Sequence, residues 1–148
     1  MIPDLDAMTA LVGRRFPGGE YRIERWEDFL LSDATGVTTL PGDLVHPVHL
    51  FHMPIAGAGV TIGELFALAE ANRAAPVSID HYDWTIHRPL RQDHAYRLEG
   101  GITAHERRDG EGGGPTVDSF TYAIDVKDEA GGLAAHVEFK WHYWRLGE

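Results

Sequence analysis

The sequence predicts an α+β domain, because helical and strand periodicities occupy different halves of the chain. Apolar residues recur at helical spacing in several segments of the first half, whereas from Val77 onward apolar and polar residues alternate with a period of two. Four alternating runs in succession indicate an antiparallel sheet. The most apolar helical segment, from Ile62 to about Asn72, is expected to be buried against it. We expect the 148 residues to form one domain, 1–148.

Three short elements are predicted in the first part of the chain. They are a helix within residues 3–12, a strand over Glu20–Arg25 and a helix over Trp26–Ala34. Asp4 or Asp6 is expected to cap the first helix, and glycines follow the first and last of these elements, as is typical of helix ends.

The second half is predicted to contain four strands. Their ranges are Val77–His87, Tyr96–Arg107, Thr116–Lys127 and Ala134–Leu146. The second of the three connections, residues 109–115, is rich in glycine and is expected to be a flexible hairpin tip. The last, residues 128–132, is expected to be a tight turn.

Composition and charge limit the classes of function. The chain has 13 basic and 23 acidic residues and a formal charge of -10, which argues against a nucleic-acid surface. The absence of cysteine excludes disulfides, thiolate metal ligands and cysteine nucleophiles. The acidic N-terminus lacks a signal-peptide pattern, and no run reaches the roughly 18 apolar residues that a membrane span requires. We therefore expect a cytoplasmic protein with neither membrane nor nucleic-acid partners.

Three histidines precede the apolar helical segment at three-residue spacing. His46, His49 and His52 lie beside Pro47, which can occupy the first turn of a short helix running to His52. Histidine has the unperturbed pKa nearest neutrality, so each is a candidate general acid or base. The alternative is a set of polar residues at a helix start. No further ligand accompanies them, so a metal site is not expected.

Two carboxylates near the histidines have a structural and a catalytic interpretation. Glu64 stands three residues after Thr61, which is the spacing of a capping box, but it also lies in the apolar segment where a catalytic acid could act. Asp43 follows the turn signal at Pro41-Gly42 and is either a turn residue or an assistant to a histidine.

Two longer segments resemble MaoC-like hydratases and dehydratases. Residues 12–36, V-G-R-R-F ending in A-T-G, and residues 83–108, with R-P-L-R-Q-D between two strands, are similar to that family in order and spacing. The resemblance implies a hotdog fold, an antiparallel sheet wrapped around a long central helix. The family's catalytic Asp after A-T-G is Val37 here, and the later string G-D-L-V-H-P-V-H has one extra residue between Asp43 and Pro47.

The central segment is also similar to bacterial β-hydroxyacyl-carrier-protein dehydratases, which share the hotdog fold. Ala58-Gly59-Val60 precedes Glu64 at the spacing of that family's Gly-Val and catalytic Glu. His49 and His52 bracket the position of its catalytic His.

The resemblance implies a dehydratase or hydratase that acts on a β-hydroxyacyl or enoyl thioester of coenzyme A or an acyl carrier protein, without a cofactor. His49 would be the general acid or base, with His46 or His52 as alternatives and Glu64 or Asp43 assisting. Backbone amides of Gly57, Ala58 and Gly59, expected at a helix N-terminus, would bind the thioester carbonyl.

Two other functions are compatible with the resemblance. One is a catalytically silent hotdog subunit that shapes an acyl tunnel for a partner, and the other is a hotdog thioesterase in which Glu64 activates water. Hotdog units generally pair, so a homodimer or a heterodimer with another hotdog subunit is expected.

Overall fold

The computed structural model describes residues 1–71 and 75–146, and its elements follow the predicted α+β order. The helices are α1 (Leu5–Thr9), α2 (Arg25–Thr35), α3 (His49–Gly57) and α4 (Ile62–Leu68). The strands are β1 (Gly19–Arg22), β2 (Val77–Ile86), β3 (Ala95–Arg108), β4 (Thr116–Lys127) and β5 (Leu133–Arg145), with a 3₁₀ turn at Glu111–Gly113.

The five strands form one antiparallel sheet in the order β1-β3-β4-β5-β2. The four long strands agree with the predicted ranges to within one residue at each end. Strict alternation places one face inward, where large side chains stack against each other in the core. These are Phe120, Tyr122, Phe139, Trp141 and Tyr143.

The helical layer differs from the prediction of one long buried helix. Helix α4 ends at Leu68 and buries only Leu65 within the protomer, and the predicted end at Asn72 lies outside the described residues. Helix α3 continues past His52 to Gly57 and buries more of its residues than α4. The two axes meet at 68°. The helical layer against the sheet therefore consists of two short helices joined by a bend. No single described helix is long and apolar enough to cross a membrane.

Two glycines explain the bend between α3 and α4. Gly59 has φ +76°, a left-handed conformation that ends α3 and that residues with a Cβ rarely adopt. A Cβ on Gly57 would lie 2.6 Å from Cδ1 of Leu98 and 3.0 Å from Cβ of Tyr21, so only glycine lets α3 lie this close to β1 and β3. The small-residue turn thus fixes where the helical layer meets the sheet.

Helix α2 exposes its apolar side and buries a polar side, the reverse of an ordinary amphipathic helix. Its apolar residues Trp26, Phe29 and Leu30 are each more than half exposed, whereas Asp28 and Ser32 are buried. Asp28 and Ser32 are four residues apart and so share the face opposite the apolar side chains. A buried carboxylate needs hydrogen-bond donors nearby, and the donors lie in the segment that contains the histidines.

A second buried carboxylate links the sheet to the helices at the other end of the core. Asp118 on β4 accepts hydrogen bonds from Arg107 on β3 and from Nε of Arg145 on β5, at 2.7–2.8 Å, and Nε2 of His105 lies 3.0 Å away. Arg145 also donates to the backbone carbonyls of Ala69 and Glu70, just after α4. The network is buried and connects three strands with the end of the helical layer.

Candidate functional site

The candidate site is a buried histidine–carboxylate pair between α2 and α3. Nε2 of His49, the first residue of α3, lies 3.2 Å from Oδ1 of Asp28. Both side chains are inaccessible to solvent in the protomer. His49 was the leading candidate from the sequence, whereas its partner Asp28 was not predicted.

Asp28 is held by further donors from two other segments. The backbone N–H of His46 donates to its Oδ1 at 3.4 Å, and the side-chain amide of Gln92 donates to its Oδ2 at 3.1 Å. These contacts fix the carboxylate toward α3 and fix the orientation of the imidazole, as a carboxylate does for a catalytic histidine.

The pair leaves two buried polar atoms free. Nδ1 of His49 and the hydroxyl oxygen of Ser32 are both buried and have no hydrogen-bond partner among the described residues. Buried polar atoms are nearly always paired, so such orphans mark places where a water or ligand group would be stabilised. The free atom of His49 is the one that could exchange a proton.

Burial lowers the pKa of His49 below its ordinary value of 6.5, and the hydrogen bond and charge of Asp28 oppose this shift. His49 is therefore neutral at pH 7. With Nε2–H donated to the carboxylate, the lone pair stays on Nδ1. This tautomer makes Nδ1 an acceptor suited to general-base chemistry.

The described cavities do not lead to His49. Four cavities on the described part of the chain, each of about 290–550 Å³, are lined by residues other than His49 and Asp28. Because His49 is buried, α2 or the loop before α3 would have to move before a substrate could reach its Nδ1 atom.

The other two histidines lie outside the pair. His46 is half-buried, and its Nδ1 accepts a hydrogen bond from the backbone N–H of Val48 at 3.2 Å. This contact satisfies a donor at the start of α3. His52 is exposed, and its ring lies edge-on to Tyr21 with 6.2 Å between ring centroids.

Asp43 lies in a separate ion cluster. Its Oδ1 accepts a hydrogen bond from Arg91 at 2.5 Å, and Nε2 of His94 lies 3.8 Å from its Oδ2. The backbone carbonyl of Asp43 accepts from the N–H of Gln92. The position expected to assist His49 is thus occupied by Asp28 from α2, and Asp43 anchors the loop before α3.

Glu64 forms the capping box that the sequence predicts. Its Oε2 accepts from the backbone N–H of Thr61 at 2.7 Å and from the Thr61 hydroxyl at 3.0 Å, and that hydroxyl accepts from the N–H of Glu64. These bonds lower the pKa of Glu64, the backbone contact most strongly. A carboxylate engaged in this way is oriented toward its own helix start.

Replacement of the cap should separate its structural role from a catalytic one. Thr61→Ala removes a side-chain acceptor at the start of α4 and should lower the free energy of unfolding by about 1 kcal/mol. Glu64→Gln retains most of the shape of the side chain and should leave any acyl-thioester activity within about twofold of wild type, since a surface cap contributes nothing to a transition state. Urea unfolding and steady-state kinetics on both variants check this. If Glu64→Gln instead lost more than tenfold of its activity at unchanged stability, Glu64 would have a catalytic role.

The turn from Gly57 to Gly59 lies at the C-terminus of α3, which corrects the expectation of free N-terminal amides. The N–H of Ala58 donates to the carbonyl of Pro54 at 3.1 Å, and the carbonyl of Ala58 accepts from Gly18 at 2.9 Å. Ala58 therefore has no amide left for a thioester carbonyl. Gly59 is exposed and lines a cavity of about 440 Å³ together with Arg14, Arg15 and Glu64. A role of Gly59 in substrate binding stays a prediction.

The comparisons with known proteins resolve the fold. No protein family and no curated protein sequence matches this chain. Among solved structures, the ChsH1–ChsH2 complex from Mycobacterium tuberculosis superposes with a TM-score of 0.70 at 11% identity, covering 97% of this chain and 92% of the other. The HadBC (3R-hydroxyacyl-ACP dehydratase) complex from the same organism gives 0.67 at 12% identity, covering 96% and 99%.

An (R)-hydratase from A. caviae involved in PHA biosynthesis aligns with a TM-score of 0.55 at 14% identity, covering 92% of this chain and 96% of the other. The chain has a hotdog fold. The likeness to MaoC-like dehydratases is confirmed at the level of structure. A hypothetical thioesterase protein from Streptococcus pneumoniae also aligns, with a TM-score of 0.52 at 8% identity, covering 87% of this chain and 80% of the other. The fold alone therefore does not distinguish hydration from thioester cleavage.

Sequence reasoning missed Asp28 for a physical reason. On a helix with Trp26, Phe29 and Leu30 along one side, an acid on the opposite side is ordinarily assigned to solvent. One signal was present, because Asp28 and Ser32 are a polar pair at i, i+4 spacing and therefore share one face of the helix. A buried histidine also requires a partner, and Asp28 is one of three acidic residues on the helix upstream of the histidine segment.

Proposed function

We propose that this hotdog protein is a dehydratase or hydratase of β-hydroxyacyl and enoyl thioesters, with His49 as the general acid/base and Asp28 as its positioning residue. The observation that carries the proposal is the buried His49–Asp28 pair, in which Nδ1 of His49 has no hydrogen-bond partner among the described residues. His46, His52 and Asp43 have other contacts, so His49 is the candidate that the geometry favours.

In the dehydration direction, Nδ1 of His49 takes a proton from the α-carbon of the thioester. The C–H electron pair enters the thioester as an enolate and then forms the Cα–Cβ double bond as the β-carbon–oxygen bond breaks. The proton on Nδ1 passes to the departing hydroxyl, which leaves as water, and His49 returns to its neutral form. Hydration is the reverse sequence, with Asp28 stabilising the transient imidazolium.

A second candidate function is a catalytically silent subunit that completes the acyl tunnel of a hotdog partner. The complete burial of His49 and Asp28 in the protomer supports this alternative, because a group without solvent access can hold α2 on α3 without any chemistry. The two mycobacterial neighbours are described as complexes, which adds support for a partner subunit.

The edge strand β2 is the surface that we propose for pairing. Three apolar side chains on its inward-facing side, Ile79, Trp84 and Ile86, are 37–54% exposed, and β2 has a hydrogen-bonded neighbour on only one side. Exposed edges of this kind pair with other strands unless protected.

Charging the inner side of β2 should therefore prevent pairing. Ile79→Arg/Trp84→Arg should shift a dimer to the monomer mass, with the dimer dissociation constant raised at least about tenfold, since each lost apolar contact weakens association by a kcal/mol or more. Thr85→Arg, which changes the same strand on its outer face, is the control. Sedimentation equilibrium of the three proteins checks the prediction. A double variant that remains as dimeric as the Thr85→Arg control would exclude β2 as the interface.

One assay separates the proposed functions. The purified protein is incubated with crotonyl-coenzyme A and with the same acyl group on an acyl carrier protein, and both the enoyl absorbance and free thiol are followed. Hydration by the protein alone supports the dehydratase. Hydration that requires a second hotdog subunit supports the silent partner, and thiol release without hydration would overturn both in favour of a thioesterase.

A further inference from the structure

The outer face of the sheet holds a side-chain cluster unrelated to His49. His81 and Asp83 on β2 and Glu138 on the neighbouring strand β5 bring one nitrogen and two carboxylate oxygens within 4.8 Å of one another. Nε2 of His81 lies 3.8 Å from Oδ2 of Asp83 and 3.8 Å from Oε1 of Glu138. These separations are too long for hydrogen bonds.

The spacing suits ligands of a shared metal ion. Tetrahedral zinc with bonds of about 2.1 Å places its ligands about 3.4 Å apart, which a small side-chain movement would reach from 3.8 Å. Nε2 of His81 is shielded from solvent and has no hydrogen-bond partner in the described part of the chain. An imidazole nitrogen directed between two carboxylates and bonded to neither is in the position of a metal ligand.

The other nitrogen of His81 is held as metal-binding histidines usually are. Nδ1 lies 3.4 Å from Oδ2 of Asp80. Such an outer carboxylate fixes the tautomer with its lone pair on Nε2 and raises the basicity of the ligand. A break in register between Ile79 and His81 marks a bulge at Asp80, which places Asp80 and His81 side by side at the edge.

The local charge also favours a divalent cation. Asp80, Asp83 and Glu138 contribute three carboxylates, and Lys140, the cross-strand neighbour of His81, donates at 2.8 Å to Glu106. Nε2 of His142 lies 3.6 Å from the other oxygen of Asp80. The cation would offset the acidic excess and clamp the edge strand β2 to β5.

We propose that His81, Asp83 and Glu138 bind one Zn²⁺ per chain, with Asp80 as the positioning residue for His81. A nitrogen with two carboxylate oxygens is a donor set that zinc accepts, and three protein ligands leave one tetrahedral position for water or another ligand. The site is independent of the proposed thioester chemistry.

The test uses tag-free protein dialysed against a chelator and titrated with ZnCl₂ by calorimetry. The expected result is one ion per chain. Zinc at about a hundredfold excess over its dissociation constant should raise Tm by about 5 °C or more. His81→Ala should weaken binding more than a hundredfold, and Asp80→Asn about tenfold. ¹⁵N NMR of His81 should show zinc on Nε2 and a proton on Nδ1.

His136→Ala is the matched control, because His136 lies on the same sheet face and its Nδ1 contacts Asp125 at 2.6 Å. This variant should bind zinc as the wild type does. Absence of binding to the wild type, or equal binding by His81→Ala and wild type, would overturn the proposal and leave a surface charge cluster only. All the variants are at partly exposed positions, and circular dichroism verifies that each folds.

Discussion

Replacing His49 by alanine is expected to lower the rate of enoyl-thioester hydration by about three orders of magnitude. General acid–base catalysis contributes roughly 10²–10⁴-fold to a rate, and the described site offers Nδ1 of His49 as its proton acceptor. The measurement is kcat/KM on crotonyl-coenzyme A, alone and with any partner subunit that activity requires. The exposed His52 provides the control, since His52→Ala should retain activity within about twofold.

The burial of His49 requires a second variant that keeps the site folded. Asp28→Asn keeps the shape and an oxygen acceptor but removes the charge opposite the imidazole. Removing the charge of Asp28 should lower the pKa of His49 further, because Asp28 raises that pKa against the effect of burial. The acidic limb of the pH–rate profile, where His49 becomes protonated, should therefore shift to lower pH in Asp28→Asn. A purely structural Asp28 would change stability but leave this limb in place.

Two results would contradict the assignment. Retention of more than a tenth of the activity in a folded His49→Ala protein would exclude His49 as the acid/base. An Asp28→Asn variant with lowered rates but an unshifted profile would leave Asp28 without a positioning role. Folding is checked in each case by the unfolding midpoint in urea.

The sheet was predictable because its pattern is local. From Phe120 to Lys127 in β4 and from Ala135 to Arg145 in β5, buried and partly exposed side chains alternate, so the sequence indicates the inner face of each strand. Asp118 is the exception, because it is a charged residue at an inward-facing position, and its cations Arg107 and Arg145 come from the two neighbouring strands. Nothing local to β4 indicates that Arg145 will neutralise it.

The helical half was less predictable because its packing depends on two non-local facts. Gly57 is required by the close approach of Leu98, which no local pattern reveals. Asp28 can be buried on α2 because His49 and Gln92, which are distant in sequence, contact its carboxylate. The histidine of the candidate site was thus visible in the sequence, while its carboxylate became visible only through tertiary structure.

The second large effect is expected at Asp118, the carboxylate of the buried network. Asp118→Asn should lower the free energy of unfolding by about 3–5 kcal/mol, because it leaves Arg145 buried without its counter-charge. Native domains are stable by roughly 5–15 kcal/mol, so a large share of the total would be lost. Equilibrium urea unfolding measures this change. Asp125→Asn, at a half-exposed position on the same strand, is the control and should change stability by no more than about 1 kcal/mol.

The same network predicts the response of the fold to acid. Burial alone would raise the pKa of Asp118, but hydrogen bonds from Arg107, His105 and Arg145 outweigh it and hold the pKa at about 2, against 3.8 for an ordinary aspartate. The unfolded chain therefore binds the proton first as pH falls. The contribution of Asp118, about 2 kcal/mol from this difference, is fully present above pH 4 and is lost between about pH 4 and 2. Unfolding free energies measured from pH 6 to pH 2 should fall more steeply in wild type than in Asp118→Asn, and equal slopes in the two proteins would mean that other carboxylates govern acid unfolding.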